Sequence, residues 1–205
     1  MNSKRNFIEM NWKLGAYFLS SLLSFSGLAQ EDYDDYEEYD DLEEALLVAD
    51  EVRYLELRRE DYVELPAEIW SFPNLVVLDL GRNDLITLPD SLAKITSLRV
   101  INLERNEFTS FPRPLLNMPF LEEIQISSNH ITSIPDDIDT LINIKRLDMR
   151  HTDVERIPFS LRNLPNLKEL DLRQTYYSRQ NYEEQFGEDR IHARVLLTNG
   201  CDCEK

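Results

Sequence analysis

The feature that most constrains this chain is a pattern that returns every 23 residues. Residues Leu75–Ser97, LVVLDLGRNDLITLPDSLAKITS, fit the template LxxLxLxxNxLxxLPxxLxxLxx, and so do the units on either side. A period of this length indicates a stack of similar units, each burying its apolar side against its neighbours. The full units are Val52–Asn74, Leu75–Ser97, Leu98–Phe120, Leu121–Asn143 and Ile144–Asn166, with a partial sixth unit from Leu167.

Each unit divides into a strand and a turn. The Leu-x-Leu part predicts a short strand with template positions 4 and 6 facing inward and positions 3, 5 and 7 facing outward. The Leu-Pro-x-x-Leu part predicts a turn or short helix. Strands of successive units then pair in parallel about 4.8 Å apart, and the bulkier opposite side curves the stack. The predicted fold class is therefore α/β, a solenoid with its sheet on the concave face and short helices or turns on the convex face.

These units resemble the leucine-rich repeat family. The residues that carry the resemblance are Leu75–Leu80 with Asn83, Leu98–Leu103 with Asn106, and Leu121–Ile126 with Asn129. The family implies a ladder at template position 9, in which each side chain bonds backbone groups of its own and adjacent turns. Glu60 has no donor to offer, so the first unit is expected to depart from the ladder. The position-9 residues are Glu60, Asn83, Asn106, Asn129, Thr152 and Thr175.

Residues 1–29 have the three-part layout of a secretory signal peptide. A basic start precedes the mostly apolar run Leu14–Leu28, and the small residues Gly27 and Ala29 predict cleavage before Gln30. An uncleaved membrane anchor is the alternative, although a spanning helix needs about twenty apolar residues. We therefore predict an exported chain, periplasmic or secreted.

The chain is strongly acidic, with a formal net charge of −17. This balance argues against binding to nucleic acid or to an anionic membrane surface, since both need clustered lysine and arginine. The acidic tyrosine-rich stretch 30–41, QEDYDDYEEYDD, is predicted to be a disordered linker because it has too little apolar surface to offset the entropy of ordering. The alternative is an arm that docks on a basic surface, including the arginines of its own domain.

Residues 42–51 are predicted to form an N-terminal capping helix. Apolar residues recur there at helical spacing, and Asp41 followed by Glu44 is a capping-box-like start. The segment resembles the short N-terminal helix of other bacterial leucine-rich repeat proteins. The repeats then cover 52–177.

After Tyr177 the template fails, and 178–205 are predicted to be a C-terminal cap and tail. Alternating apolar residues from Ile191 to Leu197 suggest a final edge strand. A helix through Gln180–Arg194 is the competing interpretation, and Gly187 weighs against it.

The sequence contains no catalytic constellation, and we predict no enzyme activity and no cofactor. The three histidines, His130, His151 and His192, lack metal-ligand spacing. Cys201 and Cys203 leave several interpretations open: a metal or redox pair, a catalytic cysteine, a disulfide, or an exposed tail.

The outward positions of the predicted strands hold the candidate partner-binding residues. Acids and amides follow one row, arginines lie beside them, and an apolar patch covers the first three units. This makeup is typical of a protein-binding surface, although the charged rows can also simply pair across strands. We predict a non-enzymatic module for a protein or peptide ligand; a structural or envelope-associated role and glycan binding are the alternatives. The candidates are Tyr54, Glu56, Arg58, Val77, Asp79, Arg82, Val100, Asn102, Arg105, Gln125, Arg146, Asp148, Arg150 and Arg173.

Overall fold

The structure, a computed structural model, describes residues 33–198. The chain divides into two units, Met1–Asp35 and Tyr36–Lys205. The described part of the first unit is the 3-10 turn Tyr33–Asp35. Every other element within residues 33–198 belongs to the second unit.

The second unit is an α/β solenoid built on one open, curved, eight-stranded sheet, which confirms the predicted fold class. Its strands are all parallel and lie in chain order, each repeat adding one strand beside the last. Equivalent template positions are in register from strand to strand. The strands are β1 (Glu38–Tyr39), β2 (Tyr54–Glu56), β3 (Val77–Asp79), β4 (Val100–Asn102), β5 (Glu123–Gln125), β6 (Arg146–Asp148), β7 (Glu169–Leu172) and β8 (Arg194–Leu197).

The opposite side of the solenoid carries one 3-10 helix per full repeat. In four of the five, the repeat proline is the N-cap, where its extended backbone fits and its missing N–H is not needed. The fourth begins three residues after Pro135, with Asp137 as its N-cap. The carbonyl of each proline accepts the N–H of the apolar residue three positions later, at 3.0 to 3.4 Å. The helices are Ala67–Ser71, Asp90–Lys94, Arg113–Asn117, Ile138–Thr140 and Phe159–Asn163.

The core runs continuously through the stack between sheet and 3-10 helices. In the second repeat Leu78, Leu80, Leu85 and Leu92 are completely buried, and Leu88 is 3% exposed. The same template positions are buried in the third repeat, and in the first repeat they are buried except for Tyr62 and Leu65, which are partly buried. The apolar positions of the template therefore build the core, as predicted.

A ladder of three asparagines ties the repeats together on the strand-end side. Asn83, Asn106 and Asn129 each donate Nδ2 to a carbonyl in their own repeat and to one in the preceding repeat, at 2.8 to 3.1 Å. Each Oδ1 accepts backbone N–H groups of the preceding repeat at 2.9 to 3.2 Å. The asparagine side chains thus replace hydrogen bonds that buried backbone would otherwise lose.

The ladder changes character towards both ends. Glu60 is exposed, and only its backbone N–H joins the ladder, so the first repeat departs from it as expected. Thr152 and Thr175 donate to the carbonyls of Met149 and Leu172 in their own repeats. Within residues 33–198 neither hydroxyl bonds to the preceding repeat, because it is shorter than an amide.

An additional backbone bridge lies where the first threonine replaces asparagine. Ser133 of the fourth repeat pairs with Arg156 of the fifth. Around it, Glu155 N–H donates to the Thr132 carbonyl at 3.0 Å, and Ile134 N–H donates to the Arg156 carbonyl at 3.4 Å. These backbone bonds link the two repeats near the position where the side-chain link is missing.

The N-terminal end of the core is covered by the α-helix α1, Leu42–Leu46. Asp41 caps it, with its Oδ1 accepting the Glu44 N–H at 2.9 Å. Ala45 is fully buried against the core. The helix is shorter than the predicted 42–51, and the chain continues in hydrogen-bonded turns to Glu51.

The prediction of a disordered linker over 30–41 needs correction at β1. Glu38 and Tyr39 pair in parallel with Tyr54 and Leu55 of β2, and Tyr39 packs against the core. An existing strand edge lowers the cost of ordering a polar segment, since it supplies backbone partners. The composition of a segment does not show whether such a strand edge lies beside it.

The C-terminal end contains both of the elements that were predicted as competitors. The helix α2, Arg179–Phe186, begins with a capping box between Ser178 and Asn181 and ends at Gly187, whose φ is 52°. The chain then forms β8, which pairs in parallel with β7. Gly187 therefore ends the helix rather than preventing it.

Several predictions fall outside the described residues. These are the signal peptide at 1–29, the start of the acidic stretch at 30–32, and the two cysteines, Cys201 and Cys203. In the described range, no helix is both long and apolar enough to cross a membrane.

Replacing Asn106 with alanine is expected to lower the free energy of unfolding by about 2–4 kcal/mol. The change removes one of the two side-chain hydrogen bonds to each of the buried carbonyls of Leu80 and Leu103. It also leaves the N–H of Leu85 without its side-chain partner. Urea denaturation followed by circular dichroism measures the effect. Asn166→Ala serves as the matched control, because Asn166 donates one exposed bond, to the Ile142 carbonyl. Equal losses in the two variants would show that the ladder contributes nothing special.

Candidate functional site

The position-3 residues of the first three repeats form a continuous row on the concave face. Tyr54, Val77 and Val100 are in register across β2, β3 and β4. They are only 4 to 6% exposed. Strands about 4.8 Å apart leave little room between side chains, so short residues are covered by their neighbours. The predicted apolar patch exists as a row, but it presents little accessible area.

The position-5 row is also buried, because its members close the turns that end the strands. Asp79 Oδ1 accepts the Gly81 N–H at 2.8 Å, and Asn102 Oδ1 accepts the Glu104 N–H at 2.9 Å. The same bond recurs at 3.1 Å in the last two repeats. A side-chain oxygen that accepts the N–H two residues later stabilises a turn, which is a structural role. The buried members are Asp79, Asn102, Asp148 and Asp171, at 0 to 4% exposure.

Three arginines of the face are bound to these carboxylates. Arg58 donates to Asp79 Oδ2 at 2.8 Å. Arg150 and Arg173 each donate Nε and Nη2 to the aspartate two residues earlier, at 2.6 to 3.1 Å. The hydrogen bond with Asp171 raises the pKa of Arg173. These arginines neutralise buried acids of their own sheet.

In the last repeats, position 3 carries a row of alternating charges. Arg146 contacts Glu123 at 3.2 Å, and Arg194 contacts Glu169 at 3.3 Å. Gln125 donates to Glu123 at 2.8 Å. Glu169 is 1% exposed, and burial raises its pKa. Arg194 is absent from the predicted site because the template ends before it, although the alternation in β8 extends the same row.

At the N-terminal end of the face, carboxyl groups crowd together. Glu56 of β2 lies beside Asp79 of β3 and forms a hydrogen bond with Glu38 of β1. Burial raises the pKa of Glu56 to about 8, and the Glu38 bond and the Asp79 charge add to the shift while Arg58 opposes it. The folded chain therefore favours a protonated Glu56 near neutral pH.

Each of the strands β2 to β7 is followed by a residue with left-handed backbone at template position 8. A non-glycine residue at positive φ is uncommon, and its recurrence in every repeat reflects the turn that the position-5 oxygen and the ladder impose. The residues are Arg59, Arg82, Arg105, Ser128, His151 and Gln174, with φ between 53° and 63°.

The first three of these residues form an arginine rim, defined as Arg59, Arg82 and Arg105. Arg59 and Arg105 are exposed, and Arg82 is partly buried. Arg105 contacts Glu104 at 3.2 Å. No ion pair within residues 33–198 involves Arg59 or Arg82. Arg82 and Arg105 belong to the predicted site and Arg59 does not, although all three share template position 8.

The rim borders an open groove of about 390 Å³. His130 also lines the groove, with Nδ1 3.3 Å from Asp153 and Nε2 3.7 Å from Glu107. The remaining lining residues are Asn83, Asp84, Asn106, Glu107 and Ser128. The groove was not predicted, because it joins positions 8, 9 and 10 of neighbouring repeats at the turns rather than on the strands.

Nothing in the described part of the chain gathers three or more histidine, cysteine, aspartate or glutamate side chains into a group able to hold a metal. The geometry instead defines a class: a repeat solenoid of parallel strands with a ladder along one edge.

Comparison with known proteins identifies the family. The Leucine Rich Repeat family model matches residues 74–95 and 120–141, and no curated protein matches. Together with the 23-residue period and the parallel sheet, this makes the chain a leucine-rich repeat protein.

Several solved structures are similar to the chain. A leucine-rich repeat protein of Leptospira interrogans is 25% identical, with a TM-score of 0.59 over 69% of this chain and 42% of that one. The leucine-rich repeat domain of the type III effector XopL is 26% identical, with a TM-score of 0.59 over 67% and 49%. TLR13, in a complex with ssRNA13, is 22% identical, with a TM-score of 0.62 over 79% and 23%. Each match spans less than half the length of the related protein.

The Glu56 carboxyl predicts a dependence of stability on pH. Its pKa in the folded chain is about 8, above the ordinary 4.5, so between these values the folded state holds a proton that the unfolded state releases. Stability is therefore lost as the pH rises through this window. After allowance for solvent screening, we expect the free energy of unfolding of Glu56→Gln to exceed that of the parent by roughly 1–2 kcal/mol at pH 8. Near pH 4.5 the two values should be equal.

Urea unfolding at several pH values measures this difference. Glu64→Gln is the control, since Glu64 is exposed and its replacement should give a difference that does not change with pH. Parallel pH profiles for Glu56→Gln and the parent would contradict the assignment.

Proposed function

We propose that the chain is a non-enzymatic binding module that recognises a protein or peptide through the concave face and the arginine rim beside it. The observation that carries the proposal is the rim itself. In a chain with a formal net charge of −17, two adjacent arginines, Arg59 and Arg82, have no carboxylate partner among residues 33–198, and Arg105 contacts only its neighbour Glu104. Arginine clusters of this kind favour recognition of acidic groups.

The rigidity of the scaffold supports this function. Hydrogen-bonded strands and the asparagine ladder hold the rim residues at fixed intervals before any partner arrives. A preformed surface avoids most of the ordering cost that a flexible segment would incur on binding. Charged groups on such a surface select the partner and its orientation more than they add raw affinity.

The burial pattern divides the predicted site into two groups. Buried members such as Val77, Asp79 and Asn102 support the face, and their replacement would disturb the fold. Accessible members, above all Arg82 and Arg105, are the groups that a partner can reach. Arg59 joins them on the evidence of its position in the rim.

The same pattern bears on the alternative functions. Glycan binding on the concave face would need an exposed aromatic platform there, and Tyr54, the aromatic residue that points outward from strands β2 to β7, is 6% exposed. A purely structural role does not explain the arginine rim, because it gives these arginines nothing to bind. Export remains part of the proposal and is supported by the signal-peptide layout of residues 1–29.

The test is affinity capture with the full chain and with Arg82→Glu/Arg105→Glu. We expect the double reversal to lose its partners, because two attractive contacts become repulsive. Lys94→Glu/Arg190→Glu is the control with the same change in charge: both residues are exposed and outside the groove. Retention of the same partners by both variants would mean that the rim is not the binding site.

The acidic stretch near the N-terminus is the competing site. A further variant neutralises the acidic residues between 31 and 37 to asparagine or glutamine and leaves β1 intact. We expect it to capture the same partners as the parent. Loss of partners in this variant alone would move the binding site from the rim to the acidic stretch.

A further inference from the structure

Resting on the proposed function, we infer that the groove beside the arginine rim binds an acidic peptide segment, whose carboxylates pair with Arg59, Arg82 and Arg105. The ligand class is thus a run of aspartate or glutamate residues in a partner protein.

The rim repeats one geometry three times. Its residues share template position 8 and the same left-handed backbone, with φ of 56° to 63°. Successive repeats are about 4.8 Å apart along the sheet, so the three guanidinium groups arise from points spanning about 10 Å. An extended peptide covers that distance with three or four residues at about 3.3 Å each. The groove volume of about 390 Å³ accommodates a segment of that length.

The positive charges in the rim are crowded, and Glu104 offsets them only in part. Burial lowers the pKa of Arg82, and the neighbouring charges of Arg105, Arg59 and Arg58 lower it further. Arg58 is already bound to Asp79, so it is not available to a ligand. A carboxylate placed between Arg82 and a neighbouring rim arginine would relieve this repulsion and accept charge-assisted hydrogen bonds.

The other groove residues favour peptide over nucleic acid. Asp84 and Glu107 line the groove, and Glu104 lies beside Arg105, so a phosphate at every nucleotide would meet carboxylates as well as arginines. Single-stranded nucleic acid also relies on aromatic side chains for base stacking. Phe, Tyr and Trp are all missing from the groove lining. A peptide can instead place its backbone N–H groups against these carboxylates while its own acids reach the rim.

The overall charge of the chain does not prevent this contact at physiological salt. The Debye length is about 8 Å at 0.15 M ionic strength, so the repulsion from distant acidic residues is largely screened. Contacts inside the groove act over shorter distances and persist. The choice of salt therefore matters to the experiment.

The test measures binding of fluorescein-labelled octaglutamate to the full chain by fluorescence anisotropy at about 0.15 M salt. Octaglutamine and a labelled oligo(dT) eight nucleotides long are the comparison probes. We expect octaglutamate to bind at least tenfold more tightly than either one. Arg82→Glu/Arg105→Glu and Arg59→Glu should each weaken octaglutamate binding at least tenfold. Lys94→Glu/Arg190→Glu should bind like the parent.

Thermal unfolding of each variant shows whether it is folded before its binding is compared. If a reversal unfolds the chain, Arg82→Gln replaces it, and a fivefold or larger loss of octaglutamate binding is then expected. Tighter binding of oligo(dT) than of octaglutamate would overturn the inference, as would equal binding of octaglutamate by the parent and the folded rim variants.

The outcome is separable from that of the proposed function. If partner capture requires Arg82 and Arg105 but octaglutamate does not bind, the binding module stands and the acidic-segment assignment falls. If octaglutamate binds through the rim but capture is unaffected by the reversal, the assignment of the ligand class to the groove stands and the proposed role of the rim in partner capture falls.

Discussion

The asparagine ladder is the interaction on which the rest of the molecule depends. At each turn after a strand the backbone reverses inside the stack, where its polar groups cannot reach water. Asn83, Asn106 and Asn129 supply the missing donors and acceptors and do so across two repeats at once. Because the ladder fixes the turn, it also fixes the left-handed residue that precedes each asparagine. The position of the arginine rim therefore follows from how the backbone hydrogen bonds of the turns are satisfied.

The two halves of the concave face use charge differently. In the last repeats, acids and arginines pair with one another within the sheet. Arg150 and Arg173 donate to buried aspartates, and Arg194 forms an ion pair with Glu169. In the first three repeats Arg58 alone does this, and the rim remains unpaired apart from Glu104. The difference follows from template position: arginine at position 7 folds back on the position-5 acid, whereas arginine at position 8 stands on the turn.

The repeat predicted the core and the strand order because burial in a solenoid follows the period, residue by residue. The repeat predicted which residues point to the concave face, but not how much of each side chain is buried. Asp79 and Asn102 carry polar side chains, and nothing in the template shows that those side chains would be used to cap their own turns. Glu38 and Tyr39 escaped prediction for a different reason: their order comes from the edge of β2, not from their own composition. The groove could not be predicted from the template, because it is assembled from three template positions in consecutive repeats.

The strands at the two ends of the sheet also bear on self-association. A parallel sheet built by adding one repeat after another has no internal reason to stop, and an exposed edge invites another chain to continue it. Here the first edge is occupied by β1, two residues long and bearing Glu38, and the last by β8, which begins with Arg194 and follows a helix. A short strand that carries a charged residue, such as β1, makes a poor template for further pairing. The acidic segment ahead of the repeats thus helps to keep the solenoid finite, which is as necessary to a binding protein as the surface it presents.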